Sequence, residues 1–330
     1  MSGSSREVRL LARPTGPPVA GDFAVVTRPL PDPGPGEIVV RNHCFSVDPY
    51  MLGRLQESMV HMDPFELDAA LDGAAVGEVV ASRSADHREG DLVVHGLGWR
   101  DLALLDGGAA RRVPAGRFPP SAHLGVLGMP GMTAWYGLGV VGGFRPGAVV
   151  YVSAAAGAVG STVGQLVRYR GGTVIGSTGS PDKARWLRAE LGFDHVLDHH
   201  DDLVKGLEAA APDGIDVYFD NVGGAGLDAA LTALKPGGTV VACGMIAHPL
   251  GEPVALRNLS LIVGKRLSIR GFIVSDHYDL RPRFEQEMSD LLERGAVRVV
   301  ETAMPGLDAG PAALTALLHG GNRGKLVVTL

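Results

Sequence analysis

A chain of 330 residues, 45% hydrophobic and 20% charged, is long enough for two domains of roughly 100 to 200 residues and apolar enough to bury a core in each. Its formal net charge of −6 and sequence pI near 6.0 provide no basic field, so there is no electrostatic case for nucleic acid or an anionic membrane as partner, and a small-molecule substrate is expected. Two cysteines, Cys44 and Cys243, cannot make a disulfide framework and suit a reducing compartment.

Residues 1–19 are polar, with Arg6, Arg9 and Arg13 among Pro14, Pro17 and Pro18. They hold no signal-peptide core, so cytoplasmic residence is expected. Residues 37–41 read as a strand after the turn Pro33-Gly34-Pro35-Gly36, followed by strands over 76–81 and 91–94. This first texture predicts an antiparallel β-rich domain. From about Leu124 it changes to strand, glycine turn and helix in alternation.

Residues 146–167 are uncharged and long enough to span a bilayer at about 20 residues. Gly157, Gly160 and Gly164, with Ser153, Ser161, Thr162 and Gln165, interrupt the run, so no span is expected. Instead, 149–153 reads as a strand entering a small-residue helix that ends near Arg170. A strand over 173–177 and a charged helix over 181–191 follow, then strands over 217–220, 240–243 and 267–273. A helix around 283–294 and a strand over 325–330 complete the chain. Apolar β-branched strands alternating with helices predict an α/β fold with a doubly wound parallel sheet. The return of the first texture at the tail predicts a discontinuous first domain, 1–126 with 299–330, around a dinucleotide-binding domain over 127–298.

The run Val149-Val150-Tyr151-Val152-Ser153-Ala154-Ala155-Ala156-Gly157-Ala158-Val159-Gly160 gives a dinucleotide fingerprint its required context of strand, tight turn and helix. The free amides at the helix start hold a pyrophosphate, and bulky side chains would block its approach. Ala155, Gly157 and Gly160 fill the three small positions, the first with Ala rather than Gly. A purely structural glycine turn is the alternative reading. NAD-preferring sites place an acid roughly 20 positions further on, where this chain has Thr178 within Ser177-Thr178-Gly179-Ser180. The absent carboxylate and the cation of Lys183 favour NADP over NAD, although a lysine at that position of a helix can also be merely solvated.

At these residues the chain resembles the medium-chain dehydrogenase/reductase superfamily, and within it the zinc-free leukotriene dehydrogenase and prostaglandin reductase branch. The resemblance covers nearly the whole chain. It is carried by Ser46-Val47-Asp48-Pro49-Tyr50-Met51, by Gly128-Met129-Pro130-Gly131-Met132-Thr133-Ala134-Trp135-Tyr136-Gly137-Leu138, by 154–165, by Phe219-Asp220-Asn221-Val222-Gly223-Gly224 and by Gly271-Phe272. It implies a Rossmann-type domain beside a GroES-like catalytic domain, NADPH as cofactor and a homodimer. It further implies that Gly157, Ala158, Val159 and Gly160 hold the pyrophosphate and Lys183 the 2′-phosphate. Asn221, Cys243, Gly244, Met245, Ile246, Phe272, Ile273 and Val274 would line the cofactor cleft, with Asn322 reaching it from the tail. Tyr50, Met129, Thr133, His248 and Tyr278 are the candidate substrate pocket.

Three positions depart from the branch, which places tyrosines where this chain has His199, Gly264 and a residue near Pro249. His199 offers a donor or a partial charge to the 2′-phosphate in place of a phenol. A structural zinc usually needs four cysteines, which two exclude. In Asp72-Gly73-Ala74-Ala75-Val76-Gly77-Glu78, Gly73 stands where the zinc branch carries a ligand histidine. The eleven histidines show no three-ligand spacing, so no metal is expected.

Without zinc to polarise a carbonyl, the easier reaction is hydride addition to the β-carbon of an α,β-unsaturated ketone or aldehyde, where charge delocalises as an enolate. Tyr50 is the leading catalytic candidate, a buried structural tyrosine being the alternative, and Tyr278, His248 and His277 are weaker candidates for proton supply. Two other readings stay open: a quinone or carbonyl reductase on the same scaffold, and a non-catalytic NADPH-binding structural or regulatory protein.

Overall fold

In a computed structural model that describes residues 3–57, 62–244 and 256–330, the N-terminal strand signals become two sheets. Strands β1 (Gly3–Leu10) and β2 (Phe23–Leu30) form an antiparallel pair. The central strand of the second sheet, β3 (Glu37–Val47), pairs antiparallel with β4 (Ala75–Ser82) and β6 (Leu102–Asp106), and β5 (Leu92–His95) joins β4 to the short β7 (Arg111–Arg112). Helix α1 (Tyr50–Arg54) leaves the end of β3.

The alternating texture then gives α2 (Met129–Tyr136), β8 (Val149–Val152), α3 (Ala158–Tyr169), β9 (Thr173–Thr178), α4 (Pro181–Leu191), β10 (His195–Asp198) and α5 (Leu203–Ala210). It continues with β11 (Ile215–Asp220), α6 (Gly224–Ala233), β12 (Leu234–Ala242), α7 (Ser260–Lys265), β13 (Ser268–Gly271) and α8 (Arg281–Glu293). These strands form one parallel sheet in the order β10-β9-β8-β11-β12-β13. The chain reverses its direction of travel between β8 and β11, the switch point at which doubly wound sheets bind ligands.

The tail returns to the second sheet through β14 (Glu301–Pro305), α9 (Gly310–Leu318) and β15 (Lys325–Thr329), with β15 beside β3. Two compact units result, Met1–Gly125 with Glu301–Leu330, and Val126–Val300. The first sheet texture was expected to be antiparallel, yet β14 and β15 run parallel. The reason is α9, a helical crossover of the kind that parallel neighbours require.

The core of the first unit is built on Phe45, Met51, Trp99 and Leu314, all fully buried. β3 continues six residues past the expected end at Arg41 because Asn42 is a buried hub rather than a turn residue. Its Nδ2 donates to the carbonyls of Leu97 (3.1 Å) and Arg100 (2.8 Å). Its Oδ1 accepts from His95 Nε2 at 2.8 Å, while His95 Nδ1 accepts the Leu97 amide at 3.1 Å. Both ring nitrogens are therefore used by the neutral imidazole.

Burial, assisted by Arg100, pushes His95 down to about 4, and burial with Arg111 does the same to His123. Between these values and the ordinary range near 6.5 the unfolded chain binds protons that the folded chain does not. Stability is thus complete above about pH 6.5 and falls as the pH drops towards 4, by at most about 3 kcal/mol per histidine. Urea midpoints between pH 7 and 4.5 should show this fall, and the His95→Gln/His123→Gln chain should show a shallower one. An identical slope in both proteins would assign the acid sensitivity elsewhere.

Candidate functional site

The turn after β8 is built by close approach. Ala154 reverses the chain with φ +47°, a left-handed conformation uncommon outside glycine. The Ala155 amide then donates to the Ser177 carbonyl at 3.0 Å, tying the turn to β9. Ala155 itself is fully buried, and a Cβ on Gly176 would lie 2.7 Å from the Ala155 methyl. The missing side chain at Gly176 is what lets alanine occupy the first small position of the fingerprint. Gly157 is the N-cap of α3, and no side chain caps that helix. Gly157, Ala158 and Val159 are half-buried, so the first-turn donors of α3 stand partly open at the switch point. Uncapped amides at a helix start carry the positive end of its dipole, and they fit a pyrophosphate.

At the end of β9, Ser177 and Thr178 are buried. Ser177 Oγ accepts from the Tyr151 hydroxyl at 3.0 Å, and Ser180 caps α4, its Oγ accepting the Lys183 amide at 3.4 Å. Both hydroxyl oxygens therefore already accept bonds that serve the fold. Lys183 lies in the first turn of α4, and His199 and His200 pack over Gly179: a Cβ there would lie 2.6 Å from His199 Cε1 and 2.7 Å from His200 Nε2. Asp198, in register with Thr178 on the neighbouring strand, is a carboxylate that the spacing along β9 does not reveal. Its Oδ1 accepts the His200 amide at 3.0 Å.

The ends of β8, β11 and β12 are tied together through Asp220. Its buried Oδ1 accepts from the Tyr218 hydroxyl (2.8 Å), Ser153 Oγ (3.3 Å) and the amides of Val222 (3.0 Å) and Gly223 (2.8 Å). Its backbone carbonyl accepts the amides of Cys243 (2.9 Å) and Gly244 (3.1 Å). Asn221 is held by two bonds to Ser153, its amide to Oγ (2.9 Å) and its Nδ2 to the carbonyl (2.8 Å). Desolvation and the Asp220 charge push the Cys243 thiol up to about 12 and Tyr218 well above its ordinary range. Both therefore stay protonated near neutrality, and neither is a nucleophile there.

Beyond β13, Phe272 is half-buried, Ile273 is exposed and Val274 is buried. The strand expected over 267–273 is shorter because the chain turns at Gly271 towards a short 3₁₀ segment, Val274–Leu280. Tyr136 stacks on His277 with centroids 4.2 Å apart and lies 5.5 Å from the Phe272 ring. Met129 is half-buried, and Thr133 donates to the Met129 carbonyl at 2.8 Å. Tyr278 is exposed beneath the Arg281 guanidinium, 4.1 Å from its ring centroid. Gly264, where the branch carries a tyrosine, faces open space. Met245, Ile246, His248 and Pro249 lie outside the described residues.

In the first unit, Tyr50 opens α1 and packs half-buried against the core. The loop before it is fixed by Asp48, which accepts from Lys325 Nζ at 2.9 Å and from the Ser46 hydroxyl. Lys325 Nζ also donates to the Val47 carbonyl at 2.7 Å, and the Met51 amide closes the turn onto the Asp48 carbonyl at 3.0 Å. Sequence reasoning missed Lys325, whose only signal is a lysine opening an apolar strand. Asn322 is buried, with Nδ2 donating to the Gly324 carbonyl at 2.7 Å. At Gly73, which itself offers no metal donor, a Cβ would lie 2.5 Å from Met51 Cε and 3.4 Å from Trp99 Nε1. Among the described residues no group of three or more His, Cys, Asp or Glu could hold a metal ion.

Two family models match the chain. One, described as the N-terminal domain of oxidoreductase, spans residues 6–113, and one described as zinc-binding dehydrogenase spans 158–294. The chain is 35% identical over 327 residues to the NADPH-dependent curcumin reductase of Escherichia coli, covering 97% of this chain and 95% of that protein. It is 36% identical over 333 residues to the NADP(+)-dependent 2-alkenal reductase of Nicotiana tabacum, covering 98% and 97%. Among solved structures it is similar to CurA from Vibrio vulnificus in complex with NADPH, with a TM-score of 0.90, 35% identity and 98% of each chain covered.

Proposed function

We propose, from the premise that this chain belongs to the medium-chain dehydrogenase/reductase family in its NADP-dependent double-bond-reductase branch, that it reduces α,β-unsaturated ketones or aldehydes at the β-carbon without zinc. The chain is an NADPH-dependent oxidoreductase acting on an activated carbon–carbon double bond. The observation that carries the alkene over the carbonyl is the donor set: position 73, where the zinc branch has a ligand, is a glycine, and among the described residues no group of three or more His, Cys, Asp or Glu could hold a metal ion. A lone carbonyl then lacks a strong Lewis acid, whereas a conjugated one disperses the incoming charge itself.

In this reading residues 127–298 hold the cofactor and residues 1–126 with 299–330 the substrate. Gly157 to Gly160 receive the pyrophosphate, and Thr178, Gly179, Lys183 and His199 the adenine-ribose phosphate. Asn221, Cys243, Gly244 and the residues from Phe272 to Val274 line the cofactor. NADPH, when bound, supplies the hydride. The protein's own task is to orient the alkene, exclude water and donate a hydrogen bond to the enolate oxygen, for which Tyr50 is the side-chain candidate. Asp48, through Lys325, fixes the turn that carries it. Low cysteine content suits a cytoplasmic enzyme, and among the described residues no helix is long and apolar enough to cross a membrane.

Turnover of an enone with NADPH deuterated at the transferred position should place deuterium on the β-carbon of a saturated ketone, with no stoichiometric zinc in the purified protein. Tyr50→Phe should retain measurable activity, since general acid catalysis is worth about a hundredfold to ten-thousandfold. Deuterium on a carbinol carbon with the alkene intact would favour the carbonyl-reductase reading instead.

A homodimer is supported by β13, which among the described residues is an edge strand with all four residues exposed. Val263 on the preceding helix is 82% exposed. An open strand edge with Ile269 and Val263 exposed beside it invites pairing with a second copy. Light scattering should give twice the 34.4 kDa chain mass, and a monomer at micromolar concentration would reject the dimer.

A further inference from the structure

The carboxyl end of β9 is roofed by two imidazoles, and Gly179 is the residue that admits them. His199 and His200 lie with ring centroids 4.2 Å apart, both against the space a Cβ at 179 would fill. Both residues are exposed, and among the described residues neither ring makes a hydrogen bond that the fold depends on. Four neighbouring elements carry charged residues. The end of β10 contributes Asp198, the turn after it Asp201, the start of α5 Asp202, and the start of α4 Asp182 and Lys183. Most of these carboxylates are already engaged: Asp198 by the His200 amide, Asp202 by the amide and Nζ of Lys205, and Asp182 by Arg185.

We propose that His199 and His200 select the phosphorylated cofactor through their protonated forms, so that NADPH binding tightens relative to NADH as the pH falls through the imidazole range. This rests on the reading of the β9 end as the 2′-phosphate subsite. A phosphate monoester carries about −1.5 to −2 charges near neutrality, with a second pKa of about 6. Imidazole is the side chain whose ordinary titration falls in the same window. In the free protein, partial desolvation and the neighbouring His200 hold His199 below its usual value, against the weaker opposing pull of Asp198. A phosphate dianion beside the rings reverses that balance, because it adds its charge to the pull of Asp198 and accepts their N–H donors. NADPH binding then takes up protons, and NADH, lacking the phosphate, does not. Below about pH 6 the phosphate itself protonates and the gain levels off.

The test is the ratio of dissociation constants for NADH and NADPH, from cofactor fluorescence at pH 8.5 and 6.5 and constant ionic strength. The parent chain and the His199→Gln/His200→Gln chain are compared, with circular dichroism confirming that both are folded. Glutamine keeps a donor but cannot charge, so it separates hydrogen bonding from protonation. The parent ratio should rise about five- to tenfold on going to pH 6.5, and the double variant's ratio should stay flat. A flat parent ratio with NADPH still preferred overturns the proton linkage and leaves the phosphate subsite standing. An undiminished rise in the double variant also overturns it. Equal constants for both cofactors at both pH values overturn the linkage and the subsite together.

Discussion

Lys325→Met should destabilise the folded chain by about 3–5 kcal/mol, the usual cost of removing one partner from a buried ion pair. The side chains of Lys325 and Asp48 are 3% and 6% exposed, so water cannot replace the lost ammonium. Its removal leaves the Asp48 carboxylate with the Ser46 hydroxyl and strips the Val47 carbonyl of its donor. The uncompensated charge dominates that cost, so adding Asp48→Asn to Lys325→Met should recover much of it even though no contact is restored. A double-mutant cycle by urea unfolding at pH 7 reads this as a coupling of more than about 1 kcal/mol. The pair also joins β15 to the turn that presents Tyr50, so activity should fall with stability. If Lys325→Met unfolds within about 1 kcal/mol of the parent, the pair does not hold that turn.

The elements that were legible in the sequence are those whose ends are set locally. Helix α4 runs over the expected 181–191 because Ser180 caps it, Pro181 opens it and Gly192 closes it at φ +69°. The fingerprint after β8 was legible for the same reason, since a strand, a turn and a helix fall within a dozen residues. β12 begins at Leu234 rather than at the expected 240, although Lys235-Pro236-Gly237-Gly238 are turn-type residues. In the structure this stretch, with Gly237 at φ +81°, lies inside the strand opposite the register shift between Ile215 and Val217.

What stayed hidden depends on partners distant in the chain. Asn42 reads as a strand end until its bonds to His95, Leu97 and Arg100 are seen. Lys325 and Asp48 are 277 positions apart, and no periodicity connects them. Ala155 looks like a defect in the fingerprint until Gly176, on the neighbouring strand, shows where its methyl goes. The same cross-strand register brings Asp198 beside Thr178, so the site's charge cannot be read along β9 alone.

Gly160→Val should lower NADPH affinity at least a hundredfold, a difference of about 2.7 kcal/mol, and destabilise the chain by a further 1–3 kcal/mol or so as an overpacked core site. A Cβ at 160 would lie 2.5 Å from the Ala154 carbonyl oxygen and 2.8 Å from Ala155 Cα. These are backbone atoms, which cannot swing aside as a side chain end would. Ala154 is already held at φ +47°, so the turn has little freedom to retreat, and the Ala155 amide is committed to Ser177. The remaining movement is of α3 itself, whose residues from Gly160 to Val167 are buried. Lifting its first turn displaces the uncapped amides proposed to receive the pyrophosphate. Gly157→Ala is the informative contrast, because a Cβ there meets only the Ala154 oxygen, at 3.3 Å. That variant should lose less than about tenfold in NADPH affinity. Fluorescence titration of both variants decides the matter: if Gly160→Val binds NADPH as the parent does, the first turn of α3 is not where the pyrophosphate sits.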